Sequence, residues 1–157
     1  MYSQEKQIIL VIDDNNPPGQ RHIMKRLVND RLGALGHEND CECVTCEPDD
    51  KTTPYDAWIQ EEIENLAHEY NDQILAAMIN LNLSPDFDRQ DGLQITRILK
   101  DSARNCFTIL LAGHTERSSI RDIRKVDKVI SLGSMRDTLE SQMHHALVNA
   151  FRSRVPL

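Results

Sequence analysis

"AAMINLNLSPDFDRQDG", residues 76–92, decides how the chain is read. An apolar run, "ILAAMI" from 74 to 79, passes through Asn80 into a loop punctuated by Pro85 and Gly92 and rich in aspartate. A short, unbroken apolar run fits a strand covered on both faces, as in a parallel sheet with helices above and below it. Where the run stops, a catalytic strand end would present a carboxylate. This one presents the amide of Asn80.

Working outward, the same kind of run recurs. "IILVI" (8–12), "CECVTCE" (41–47), "CFTILLA" (106–112) and "KVISL" (128–132) read as further strands. Between them lie helical spacings. Ile23, Met24, Leu27, Val28, Leu32 and Leu35 form one stripe. Ile59, Ile63, Leu66, Ala67 and Tyr70 form a second, with Trp58 beside it. Leu93, Ile95, Ile98 and Leu99 follow Gly92, and Ile120, Ile123 and Val126 mark a short basic helix. Leu139, Met143, Ala146, Leu147 and Phe151 line a last helix, for which Ser134 is placed as cap with Asp137 at the reciprocal position. Strand and helix thus alternate five times, which predicts an α/β fold: a three-layer α/β/α sandwich around a five-stranded parallel sheet.

Composition narrows the classes. At 157 residues, one domain covering 1–157 is expected. The chain is 39% hydrophobic and 27% charged, a globular balance. A net charge of −7 argues against broad nucleic-acid binding, which needs a basic surface. No apolar run reaches membrane-spanning length, and "MYSQEKQIIL" lacks the apolar core and cleavage site of a signal peptide. The expected location is cytoplasmic.

Three of the four cysteines, Cys41, Cys43 and Cys46, lie in "CECVTC". Strand alternation puts Cys41 and Cys43 on one face and Cys46 on the other. A closed zinc centre needs four ligands in paired spacing, and only His37 stands close upstream. Plain thiols are the commoner explanation, with a metal the sharper one.

In doubly wound sheets, sites form outside the carboxyl ends of the strands. Those ends carry Asp13 and Asp14, then Asn80 and Asn82, then Ala112, Gly113 and His114, then Leu132, Gly133 and Ser134. Here "ILVIDDNN", "INLNLSP…DGLQITRILK", "ILLAGHTE" and "DKVISLGS" resemble, in order and over nearly the whole chain, the landmarks of response-regulator receiver domains. The resemblance implies a flavodoxin-like fold and a place in two-component or phosphorelay signalling. It aligns the family's Mg²⁺-holding acidic pair with Asp13 and Asp14. It aligns the phosphorylated aspartate with Asn80, the switch hydroxyl with Ala112 and the lysine of the fifth strand with Leu132.

Three of those positions have lost their chemistry. An amide has no carboxylate with which to attack a phosphoryl group. Leu132 carries no charge to clamp phosphoryl oxygens. Ala112 has no donor. Shifting the register by one or two residues reaches no acid, and Lys128 lies roughly 13 Å from Leu132 along the strand, at the wrong end. Asp13 and Asp14 would hold Mg²⁺ weakly without a third carboxylate. The plainer expectation is that they accept hydrogen bonds from Asn80 and nearby backbone amides.

The interval from Asp14 to Asn80 exceeds the family's usual one, so the chain is expected to be enlarged between about 33 and 70. Trp58 and Tyr55 fall there and would pack the longer helix onto the sheet or, if exposed, form a binding patch. Arg117, Arg121, Arg124 and Lys125 make a basic surface in an acidic chain. The resemblance implies that the face of the fourth helix, fifth strand and last helix docks a sensor kinase or output protein, or a second copy in a homodimer. Two functions follow for test. One is a stand-alone signalling module, not an enzyme, that binds proteins without aspartyl phosphorylation. The other is a ligand- or metal-responsive protein or enzyme on the same fold, using Asp13, Asp14, His114 or the "CECVTC" thiols.

Overall fold

The computed structural model describes residues 6–12, 20–46, 59–81, 91–103, 105–112, 126–131 and 136–153. Five strands form one parallel sheet: β1 (Gln7–Ile12), β2 (Cys41–Cys46), β3 (Ile74–Asn80), β4 (Phe107–Ala112) and β5 (Lys128–Ser131). Their order across the sheet is β2-β1-β3-β4-β5. The chain first moves outward from β1 to β2, then crosses back and builds the other side. The switch point therefore lies between β1 and β3, where Ile12 pairs with Ile79.

Four α-helices complete the described part: α1 (Gln20–Ala34), α2 (Glu64–Tyr70), α3 (Asp91–Ser102) and α4 (Arg136–Ser153). A π-turn, Ile59–Ile63, leads into α2, and a 3₁₀ turn, Asn71–Gln73, joins α2 to β3. Strand alternation splits the core in two. Ile9, Val11, Ala76, Met78, Ile109, Leu111 and Ile130 pack with residues of α1 and α4. Ile8, Leu10, Ile12, Ala77 and Ile79 pack with Ile63, Ala67, Ile95 and Leu99 on the other face. The three-layer sandwich is thus present, and all seven residues of β3 are buried, as its unbroken apolar run requires.

Ile23 departs from the expected stripe of α1: it is 52% exposed. It stands about 100° round the helix from Met24, on the side away from Val28 and Leu32. Helix α1 closes at Gly36, whose φ of 78° is a left-handed conformation that favours glycine. The His37 amide then donates to the Leu32 carbonyl at 2.9 Å and the Gly36 amide to Gly33 at 3.1 Å, an overlapping pair that satisfies the last carbonyls. The α4 stripe behaves as expected, with Met143, Ala146 and Leu147 buried and Leu139 and Phe151 packed against them. Val126 packs against the cluster of Leu81, Leu93, Leu110, Ala112 and Val129 but lies in no helix. The rest of the anticipated basic helix, with Arg117, Arg121, Arg124 and Lys125, lies outside the described residues. So do Tyr55, Trp58 and the Ser134 cap.

Candidate functional site

The carboxyl ends of β3, β4 and β5 meet in register. Asn80 pairs with Leu111, and Ala112 pairs with Ser131. Asn80 is the last residue of β3 and is 9% exposed. Ala112, the last residue of β4, is fully buried. Two candidate positions are thereby brought to one end of the sheet, on adjacent strands. Asp13, Asp14, His114 and Leu132 follow β1, β4 and β5 in sequence, but lie outside the described residues.

Beyond Asn80 the chain is held tightly. The Leu81 amide donates to the Leu111 carbonyl at 2.8 Å, and the Leu81 carbonyl accepts from the Gly92 amide at 2.8 Å. This seats the first turn of α3 directly on the end of β3. A Cβ at Gly92 would collide with the Asn80 carbonyl oxygen and stand 2.8 Å from Leu81 Cα. Only glycine permits that approach, which explains physically why the "DGL" motif opens α3. The buried Thr96 hydroxyl is satisfied in the same turn, donating back to the Gly92 carbonyl at 2.8 Å.

Ser131 was not anticipated as a site residue. It is 6% exposed, and its Oγ makes no hydrogen bond among the described residues. Its amide donates to Gln142 Oε1 of α4 at 3.3 Å. A hydroxyl therefore stands on the strand next to Ala112. Only the β4–β5 register reveals it.

Among the described residues, charged groups and their hydrogen bonds collect at the opposite end. Asp127, just before β5, accepts through Oδ2 from Lys100 Nζ at 2.6 Å, from the Thr108 amide at 2.8 Å and from the Thr108 hydroxyl at 3.1 Å. Lys100 also donates to the Cys106 carbonyl at 3.1 Å. The arrangement ties α3 to the amino ends of β4 and β5.

At the same end, in the turn before β2, His37 Nδ1 lies 3.1 Å from Asp40 Oδ2 and 3.2 Å from Oδ1. The His37 ring stacks on Phe151 of α4 with centroids 3.9 Å apart and planes 13° from parallel. Cys41 follows, buried. Burial, and secondarily the Asp40 carboxylate, push its thiol up to about 12. Burial also pushes Cys43 up to about 12, against a smaller opposing effect of Lys25. Both are neutral thiols at ordinary pH, poor nucleophiles as they stand. Cys41 and Cys43 pack on the α1–α4 face and Cys46 on the opposite one, as strand alternation predicts. The "CECVTC" thiols accordingly cannot converge on one centre.

No helix among the described residues is long and apolar enough to cross a membrane. No family model matches the chain, and no curated protein matches it. Solved structures do. A response regulator receiver domain protein from Clostridium thermocellum superposes with a TM-score of 0.60 at 16% identity, over 93% of this chain and 98% of that one. A response regulator receiver protein from Pseudoalteromonas atlantica gives 0.62 at 15% identity, over 94% and 99%. A response regulator protein from Thermotoga maritima, in complex with Mg²⁺ and BeF, gives 0.53 at 16% identity, over 89% and 98%. The chain has the fold of response-regulator receiver domains, and the likeness spans their whole length.

Proposed function

We propose, from the receiver-type fold, that the chain is a receiver-like signalling module that works by binding a protein partner without being phosphorylated on aspartate. The observation that carries this reading is Asn80, an amide ending the central strand β3 where a receiver holds its phosphoacceptor. Ala112 beside it offers a methyl group in place of a switch hydroxyl. Leu132, next in sequence after β5, stands in place of the lysine.

The chemistry sets the consequence. Phosphoryl transfer needs an oxygen nucleophile, a cation to gather the equatorial oxygens and a donor to report the product. An amide, a leucine and an alanine supply none of these. Asp13 and Asp14 retain the capacity for a weak Mg²⁺ site, since a hard cation binds carboxylates and keeps its waters. Without an acceptor such an ion performs no transfer, and no catalytic step is assigned to this chain.

The working surface is the basic stretch holding Arg117, Arg121, Arg124 and Lys125, with β5 and α4. It suits an acidic face on a sensor kinase, on an output protein or on a second copy of this acidic chain. A pull-down with the full chain as bait tests the reading. The same partner is expected with and without prior treatment with acetyl phosphate and Mg²⁺, and it is expected to be lost with Arg121→Glu. A partner captured only after that treatment would overturn the proposal.

A further inference from the structure

His37, Asp40 and Cys41 bring a nitrogen, an oxygen and a sulfur ligand together at the amino edge of the sheet, the end opposite Asn80 and Ala112. One donor atom from each lies within 4.8 Å of the other two. We propose that these three residues form a binding site for a divalent transition ion of the zinc type, with its fourth position open to water.

Three features support a built site. The first is the donor set. Bonds of about 2.0–2.3 Å in a tetrahedron place ligand atoms about 3–4 Å apart, so small side-chain rotations close the cluster on an ion. Imidazole and thiolate donors favour zinc, cobalt or nickel and disfavour Mg²⁺ and Ca²⁺, which take oxygen.

The second is the backbone. The Asp40 and Cys41 amides donate to the His37 carbonyl at 3.3 and 3.0 Å, so all three residues belong to one closed turn. The Asp40 carbonyl accepts from the Gln7 amide at 2.9 Å, fixing the turn to β1. The left-handed Gly36 sets the direction in which His37 leaves α1. Little ordering is left for the ion to impose on the main chain.

The third is the support of the imidazole. Its stacking on Phe151 holds the ring plane. A ring already restricted in the bound orientation loses less freedom when it takes the ion. Coordination displaces the Cys41 thiol proton to solvent, while the ring keeps its single proton on the nitrogen that the ion does not take. Because Phe151 belongs to α4, occupancy would also fasten the last helix to the β2 edge. The site is independent of the signalling proposal, and either can fail alone.

Cobalt(II) titration of the full, reduced, metal-stripped chain tests it. The expected result is one equivalent of cobalt with thiolate-to-cobalt charge-transfer absorption, displaced by zinc and unaffected by excess Mg²⁺. The absorption should vanish in Cys41→Ser and persist in Cys43→Ser. Affinity should fall at least ~10-fold in Asp40→Asn. Absence of a thiolate band, or a band that survives Cys41→Ser, would overturn the proposal. Should Cys41→Ser fail to fold, Asp40→Asn carries the test through its exposed side chain, and unchanged affinity there overturns the site equally.

Discussion

Two ends of the same two strands behave differently. At the amino ends of β4 and β5, one oxygen of Asp127 accepts from an ammonium, an amide and a hydroxyl, the shortest contact being 2.6 Å. At their carboxyl ends, Ala112 offers only a methyl group and the buried Ser131 hydroxyl has no partner among the described residues. Doubly wound sheets form their binding crevices at the carboxyl end. Among the described residues of this chain, the charge-assisted contacts stand at the amino end, where they join α3 to the sheet.

That contrast can be broken or sharpened by substitution. The largest effect is expected from Asp127→Ala, which leaves the Thr108 amide without its acceptor and Lys100 with only the Cys106 carbonyl. Hydrogen bonds to a charged group contribute about 1.5–3 kcal/mol each, so a loss of about 3 kcal/mol in urea unfolding is expected. A loss below ~1 kcal/mol would mean that the amino-end network is ornamental. Gly92→Ala comes next. The added methyl would meet the Asn80 carbonyl and Leu81 Cα, backbone atoms that cannot rotate aside. Overpacking of this kind costs about 1–3 kcal/mol, and amide chemical shifts at the end of β3 should move with it.

His37→Ala, measured on the metal-free chain, removes the Phe151 stack. A drop of about 0.5–1.5 kcal/mol in thermal unfolding free energy is expected, the usual size for losing an aromatic pair. Ser131→Ala has the smallest effect and the opposite sign. Deleting a buried hydroxyl without a partner should leave stability unchanged or raise it by up to about 1 kcal/mol. Destabilisation would instead show that the hydroxyl is satisfied in solution.

Much of this architecture was legible in the sequence. The unbroken run at 74–79 announced a strand covered on both faces, and the alternation in "CECVTC" divided its thiols correctly between two cores. Asn80 and Ala112 could be assigned to strand ends because apolar runs stop abruptly there. What stayed hidden depends on register and turn geometry, not on pattern. Lys100 and Asp127 are distant in sequence and meet only because β5 pairs with β4. Ser131 becomes a neighbour of Ala112 through the same pairing. His37 stood out merely as a nearby histidine; the closed turn after Gly36 is what delivers it to Asp40 and Cys41. Ile23 misled because periodicity alone does not fix where an apolar stripe ends.

Intact-mass measurement after incubation with acetyl phosphate and Mg²⁺ tests the inert-acceptor reading most directly, with the unmodified chain run beside an Asn80→Asp, Leu132→Lys double variant. The unmodified chain is expected to show no phosphoryl increment, while the double variant gains one. A stoichiometric phosphoryl adduct on the unmodified chain, released by hydroxylamine as an acyl phosphate is, would contradict the account.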